Sequence, residues 1–122
     1  MTGRRILPAM SESPRQVKLR AVECEVSDEE DGVLVAISGE IDINVADELE
    51  SWLLESCDGK EALTLDLSNV GFMDSTGLHM LIALKRGLEQ SGRQLLVSSV
   101  SEPVEELLSV SGLTTFFDAF NP

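Results

Sequence analysis

The residues best suited to chemistry gather in one run, Asp74-Ser75-Thr76-Gly77, with His79 close behind. Upstream, residues 62 to 67 (Ala-Leu-Thr-Leu-Asp-Leu) read as a short buried strand, and downstream Leu78, Leu81, Ile82 and Leu84 open a strongly apolar helix. The turn between them is therefore held at both ends, with the Ser75 hydroxyl at the mouth of the helix. Asp74 or Ser75 suits the N-cap position, and Gly77 lets backbone come close, so the first helical N–H groups are expected to face whatever sits on Ser75. A phosphate there would meet partial positive charge from the helix and repulsion from Asp74.

His79 lies four residues after Ser75 and shares its face if both are helical. A Ser/His nucleophile pair needs a third group to orient the imidazole, and neither that group nor a Gly-x-Ser-x-Gly elbow is found, so His79 reads as a surface or interface residue. Asp66 and Asp74 would suit a phospho-aspartate receiver, but the acidic pair after the first strand and the lysine after the last are missing. The acidic stretch 27 to 32 lacks the twelve-residue ligand spacing of a calcium loop, and Cys24 and Cys57 lack metal-ligand spacing. No metal, cofactor or catalytic residue is expected, and the two cysteines are expected to be free thiols.

Stepping outward from the turn, residues 17 to 26 alternate as an edge strand without a fixed register, and Val33 to Ile37 form a run apolar on both faces, as in a central strand. Gly39 is expected to end that strand. Asp42 or Asn44 can cap a helix with the stripe Val45, Ala46, Leu49, Trp52 and Leu53, which Gly59 closes. A strand over residues 61 to 67 leads into the turn, with Ser68 and Asn69 as turn formers. The helix after Ser75 runs to about residue 91, followed by a strand over 94 to 100 and a helix capped by Ser101 with Pro103 in its first turn. Residues 113 to 120, with three phenylalanines, read as a short strand or turn. The order is β-β-α-β-α-β-α-(β), an α/β domain with a mixed central sheet and helices packed against it. It spans residues 17 to 122 behind a flexible tail over residues 1 to 16. Parallel strands end together, so Glu40 and Asp42 are expected on the same rim as Ser75.

Five of the nine basic residues fall in the first twenty positions, and residues 21 to 122 hold four basic and 21 acidic groups, a formal charge of −17. Such a surface repels nucleic acid and anionic membrane and favours a basic protein partner or plain solubility. No run approaches the roughly 18 apolar residues of a membrane span, and the opening residues lack the apolar core of a signal peptide, so a cytoplasmic location is expected.

Ser38-Gly-Glu-Ile-Asp42, Leu65-Asp-Leu67, Val70-Gly-Phe-Met-Asp-Ser-Thr-Gly-Leu78, Ser101-Glu-Pro103 and Val110-Ser-Gly-Leu113 occur in this order, and together they resemble a STAS domain of the bacterial anti-sigma factor antagonist family. The resemblance covers about residues 18 to 118. It implies that Ser75 is phosphorylated by a partner that is both anti-sigma factor and ATP-dependent serine kinase. It also implies that the unphosphorylated form binds that partner and frees the sigma factor, and that a serine phosphatase reverses the modification. Thr76 is the fallback acceptor, because the family pattern places the target directly after Asp. The partner-binding set comprises Glu40, Asp42, Asn44, Asp74, Ser75, Thr76, Gly77 and His79. Asp74 has two readings, an orienting or metal-approaching group in the kinase complex or a helix cap. A non-signalling STAS subunit of a transporter or lipid-trafficking complex is the alternative, against which the intact Asp-Ser-Thr-Gly stretch speaks.

Overall fold

The computed structural model describes residues 15–117. Strands β1 (Arg15–Leu19), β2 (Val22–Asp28) and β3 (Gly32–Ile41) come first, then α1 (Ala46–Ser56), β4 (Ala62–Met73), α2 (Ser75–Gln90), β5 (Gln94–Val100), α3 (Glu102–Val110) and a four-residue helical turn, α4 (Thr114–Phe117). The sheet runs β1-β2-β3-β4-β5, antiparallel through β1, β2 and β3 and parallel from β3 through β5. It is a mixed sheet with helices packed against it, as the alternation of apolar runs predicts.

Alternation along the strands, interrupted in β4 over residues 68 to 73, assigns one face to the core. Val22, Cys24 and Val26 point there with Val33, Val35, Ile37, Leu63, Leu65, Leu67, Leu95 and Val97, and they meet Leu49, Leu53, Leu81, Leu84, Leu88, Val104 and Leu108 of the helices in a single buried cluster. The other face carries Glu23 and Glu25 exposed, with Leu34, Ala36 and Thr64 only half-buried. The run 33 to 37 is thus covered fully on one side only. Both cysteines are free and buried, and burial pushes the Cys24 thiol up to about 11, so it stays protonated and unreactive at neutral pH.

Four sequence expectations change. The single leading strand is a hairpin: the alternation slips at Arg20-Ala21 because that is where the chain turns, with Arg20 at φ 52°. β1 begins at Arg15, and the rest of the expected tail, residues 1–14, lies outside the described residues. Gly39 does not end β3 but forms an irregularity inside it, at φ 113°, where the register to β4 shifts. Ser68 and Asn69 do not turn the chain: Asp66 Oδ1 accepts from the Ser68 amide (3.0 Å), the Ser68 hydroxyl (2.7 Å) and the Ser99 hydroxyl (2.7 Å), and pairing resumes at Ser38 opposite Asn69. The register shifts beside Asp66 mark a bulge that this carboxylate satisfies. Burial raises the Asp66 carboxyl, but the Ser68 and Ser99 donors outweigh it and hold it below the ordinary value. Of the strand or turn expected over residues 113 to 120, residues 114–117 take the turn: the Phe117 amide donates to the Leu113 carbonyl, and the Phe117 ring enters the core, edge-on to Phe116. Phe120 lies outside the described residues.

Gly39 is required by contact as well as by its dihedral: a Cβ there would stand 2.1 Å from the Ala21 carbonyl oxygen. Gly87, inside α2, has nothing within 4 Å of its would-be Cβ. Alanine is therefore expected to act with opposite signs, Gly39→Ala costing about 2 kcal/mol or more and Gly87→Ala gaining about 1 kcal/mol. Urea unfolding of the two variants checks this, and a neutral Gly39→Ala would contradict the packing of the β1–β2 turn on β3.

Candidate functional site

β3 and β4 are parallel and end side by side, with Ile41 opposite Met73. The Asp74 N–H donates to the Ile41 carbonyl at 3.2 Å, so the strand ends are joined where each chain leaves the sheet. From β3, Asp42 enters a tight turn. Its Oδ1 accepts from the Asn44 amide (2.9 Å), and its carbonyl accepts from Val45 and Ala46 (3.1 and 3.0 Å). Val45 then occupies the N-cap position of α1 without a side-chain bond, so Asp42 shapes the turn before the helix, and neither Asp42 nor Asn44 caps it as expected. Glu40 is exposed opposite Phe72, which is itself 47% exposed.

From β4 the chain enters α2 with Asp74 as its N-cap. The extended Asp74 backbone lets Oδ1 accept from the Thr76 and Gly77 amides (2.9 and 3.3 Å), and the Thr76 hydroxyl donates to the same oxygen. Burial pushes the Asp74 carboxyl up, but the Thr76 hydroxyl and the Gly77 and Thr76 amides outweigh that and hold it below the ordinary value. Gly77 is buried because the helix start sits directly on the strand ends. A Cβ there would lie 2.6 Å from Met73 Cγ and 3.0 Å from Ile41 Cγ2. The close approach expected at Gly77 exists, and what approaches is the sheet.

Ser75 is the first residue of α2 and is exposed, and its hydroxyl makes no hydrogen bond among the described residues. Thr76 is half-buried and its hydroxyl is engaged. The expectation that the first helical amides face a group on Ser75 needs correction: Asp74 already takes those of Thr76 and Gly77. One turn on, His79 is exposed and lines a shallow groove of about 390 Å³ between α2 and α1, across from Asp47 and Glu50. Sequence reasoning did not single out Ile43, 72% exposed beside this groove, or Phe72. Strand alternation held no signal for Phe72: it shares parity with the buried Val70, and only the break in alternation over residues 68 to 73 leaves it exposed. Among the described residues no group of three or more His, Cys, Asp and Glu could hold a metal ion, and no helix is long and apolar enough to cross a membrane.

A parallel β3–β4 pair whose ends present a capped serine turn defines the class. The STAS domain model matches residues 22–122. The anti-sigma-B factor antagonist of Staphylococcus aureus is 34% identical over 80 residues, 65% of this chain and 74% of that protein. The crystal structure of an anti-sigma factor antagonist from Mycobacterium paratuberculosis is similar with a TM-score of 0.72 and 28% identity, covering 83% of this chain and 86% of that one. A sulfate transporter family protein from Wolinella succinogenes is similar at a TM-score of 0.59 and 27% identity, over 69% of each chain. The chain belongs to the STAS-domain family and, within it, to the anti-sigma factor antagonists. These antagonists are regulators without enzymatic activity.

The Asp74 cap yields a pH-dependent expectation. Its carboxyl is depressed in the folded state, so its stabilisation is complete above the unfolded value of about 4 and is lost as pH falls through the lower folded value. Asp74→Ala is expected to lower stability by about 1 kcal/mol at pH 7, with the gap to the parent narrowing below about pH 4. Denaturant titrations at pH 7 and pH 3 test it, and a pH-independent gap would remove the charge from the role of Asp74.

Proposed function

We propose that this protein is a partner-switching regulator whose unphosphorylated form binds an anti-sigma factor through the rim around Ser75 and so frees the sigma factor. The same anti-sigma factor carries serine kinase activity and phosphorylates Ser75, which ends binding, and a serine phosphatase restores the free hydroxyl. The observation that carries this reading is the contrast within one turn: the Ser75 hydroxyl is exposed and unengaged, while the neighbouring Thr76 hydroxyl is tied to Asp74. Membership of the antagonist family supports the anti-sigma factor as partner.

The switch needs no refolding. Phosphorylation adds about −1.5 to −2 charges at one exposed point. The added group stands beside the Asp74 carboxylate, which already holds the Thr76 and Gly77 amides, and near Glu40 and Asp42 on the same rim. Burying such a charge without compensation in an interface costs about 2 to 5 kcal/mol, and about 4 kcal/mol is a thousandfold in affinity. Ser75 is therefore substrate and switch. Magnesium, ATP and the base that takes the hydroxyl proton reside in the kinase. Glu40, Asp42, Asn44 and His79 contribute contact surface, and Gly77 and Asp74 hold the turn in place. Nucleic acid and membrane are not partners of so acidic a surface, and the protein acts in the cytoplasm.

Two experiments test the proposal. Parent and Ser75→Ala protein, incubated with ATP and host extract, should differ by one phosphopeptide containing residue 75; unmodified Ser75 in an extract that phosphorylates other proteins would favour the non-signalling module. Against the purified anti-sigma factor, Ser75→Ala should bind within about threefold of the parent and Ser75→Glu at least tenfold more weakly, a difference of about 1.4 kcal/mol. Equal affinities would eliminate charge as the switch.

A further inference from the structure

His79 is the only histidine in the chain, and the switch described above assigns it no more than contact surface. It stands four residues from Ser75 on α2, where side chains about 5 to 6 Å apart at Cβ face one another. Helical side chains tend to lean toward the N-terminus, and His79 lines the α1–α2 groove together with Thr76, the residue next to Ser75. Both residues are exposed, and no hydrogen bond or ion pair involves the His79 ring among the described residues. The charged groups facing it are acidic, Asp47 and Glu50 of α1 across the groove, with Arg86 two turns further along α2. No cation is thus closer along the helix to a group on Ser75, and the Thr76 and Gly77 amides are already held by Asp74.

Resting on the reading of Ser75 as the phosphoacceptor, we propose that His79 is the positioning residue of the phosphorylated state: its imidazolium pairs with the phosphate on Ser75 and makes the charge of the switch depend on pH. The proton bound at His79 offsets one of the two negative charges of the phosphate, so the modified rim is most strongly anionic in mild alkali and less so in mild acid. Linkage is reciprocal, so the phosphate that favours the imidazolium has its own second ionisation, ordinarily near 6, lowered by it.

The test uses the untagged chain with phosphoserine placed at position 75 during synthesis, compared with the unmodified chain and with the phosphorylated His79→Gln variant. Because the single imidazole gives one set of proton signals, its titration is read directly by NMR, and the phosphate is followed in the same samples through phosphorus. The imidazole midpoint is expected to rise by about one pH unit on phosphorylation at low salt, the size of a doubly charged neighbour at about 6 Å in a water-like dielectric. The shift should shrink at 1 M salt. The phosphate midpoint should lie higher in His79→Gln than in the phosphorylated parent. An imidazole midpoint that is the same in both states, or a phosphate midpoint insensitive to His79→Gln, overturns the pairing. Phosphoserine is supplied at synthesis, so this result stands apart from whether a host kinase modifies Ser75, which the extract assay decides.

Discussion

The seat of α2 on the ends of β3 and β4 is the constraint around which the functional end is built. At the end of the β3–β4 pairing, the Asp74 amide donates to the Ile41 carbonyl, so the strand that delivers Asp42 and the strand that delivers Ser75 stay joined to the point where each leaves the sheet. Gly77 permits the contact, since any side chain there would collide with Met73 and Ile41. Asp74 completes it by closing two open amides of the helix and taking the Thr76 hydroxyl as well. Three of the four residues in Asp-Ser-Thr-Gly are thereby committed to holding the turn, and the fourth is left with its hydroxyl free. The difference between the two adjacent hydroxyls, one engaged and one free, thus follows from how one carboxylate is satisfied.

Much of this was legible in the chain. The apolar stripes of α1, α2 and α3, the alternation of β5 and the glycine beyond each of these helices give the layers, because burial on one face leaves a periodic record. The Asp74 turn was legible because cap, hydroxyl and small residue follow one another without a gap. What escaped depends on partners distant in sequence. The turn at Arg20-Ala21 carries no glycine or asparagine to mark it, and Arg20 takes a positive φ without one. Ser68 and Asn69 look like turn residues in isolation, and it is the Asp66 carboxylate holding Ser68 and the pairing of Asn69 with Ser38 that keep them in β4. A local reading could likewise not tell whether the first amides of α2 were open or already taken.

The acidic character of the domain gives the functional end its sign. On the α1 side of the rim, Arg20 from the β1–β2 turn reaches Glu48 at 3.2 Å, an exposed pair worth little by itself. Asp74 at the start of α2, Asp42 at the adjoining strand end and Asp47 and Glu50 in the groove beside Thr76 make the surroundings of Ser75 acidic. On the proposed function, a partner docking at this rim brings donors or cations of its own, and a phosphate on Ser75 adds charge where compensation is already scarce.

The topology also sets an order in time. β1, β2 and β3 form a meander whose connections are only two and three residues long, so their pairing needs little loop closure. β4 can join only after the α1 crossover has been made, and β5 only after that of α2, and such non-local pairings form slowly. Asp42 and Ser75, more than thirty residues apart in sequence, are brought together by the non-local β3–β4 pairing. Until the β3–β4 pairing is made, the residues that flank Ser75 in the folded domain, Asp42 among them, do not stand beside it.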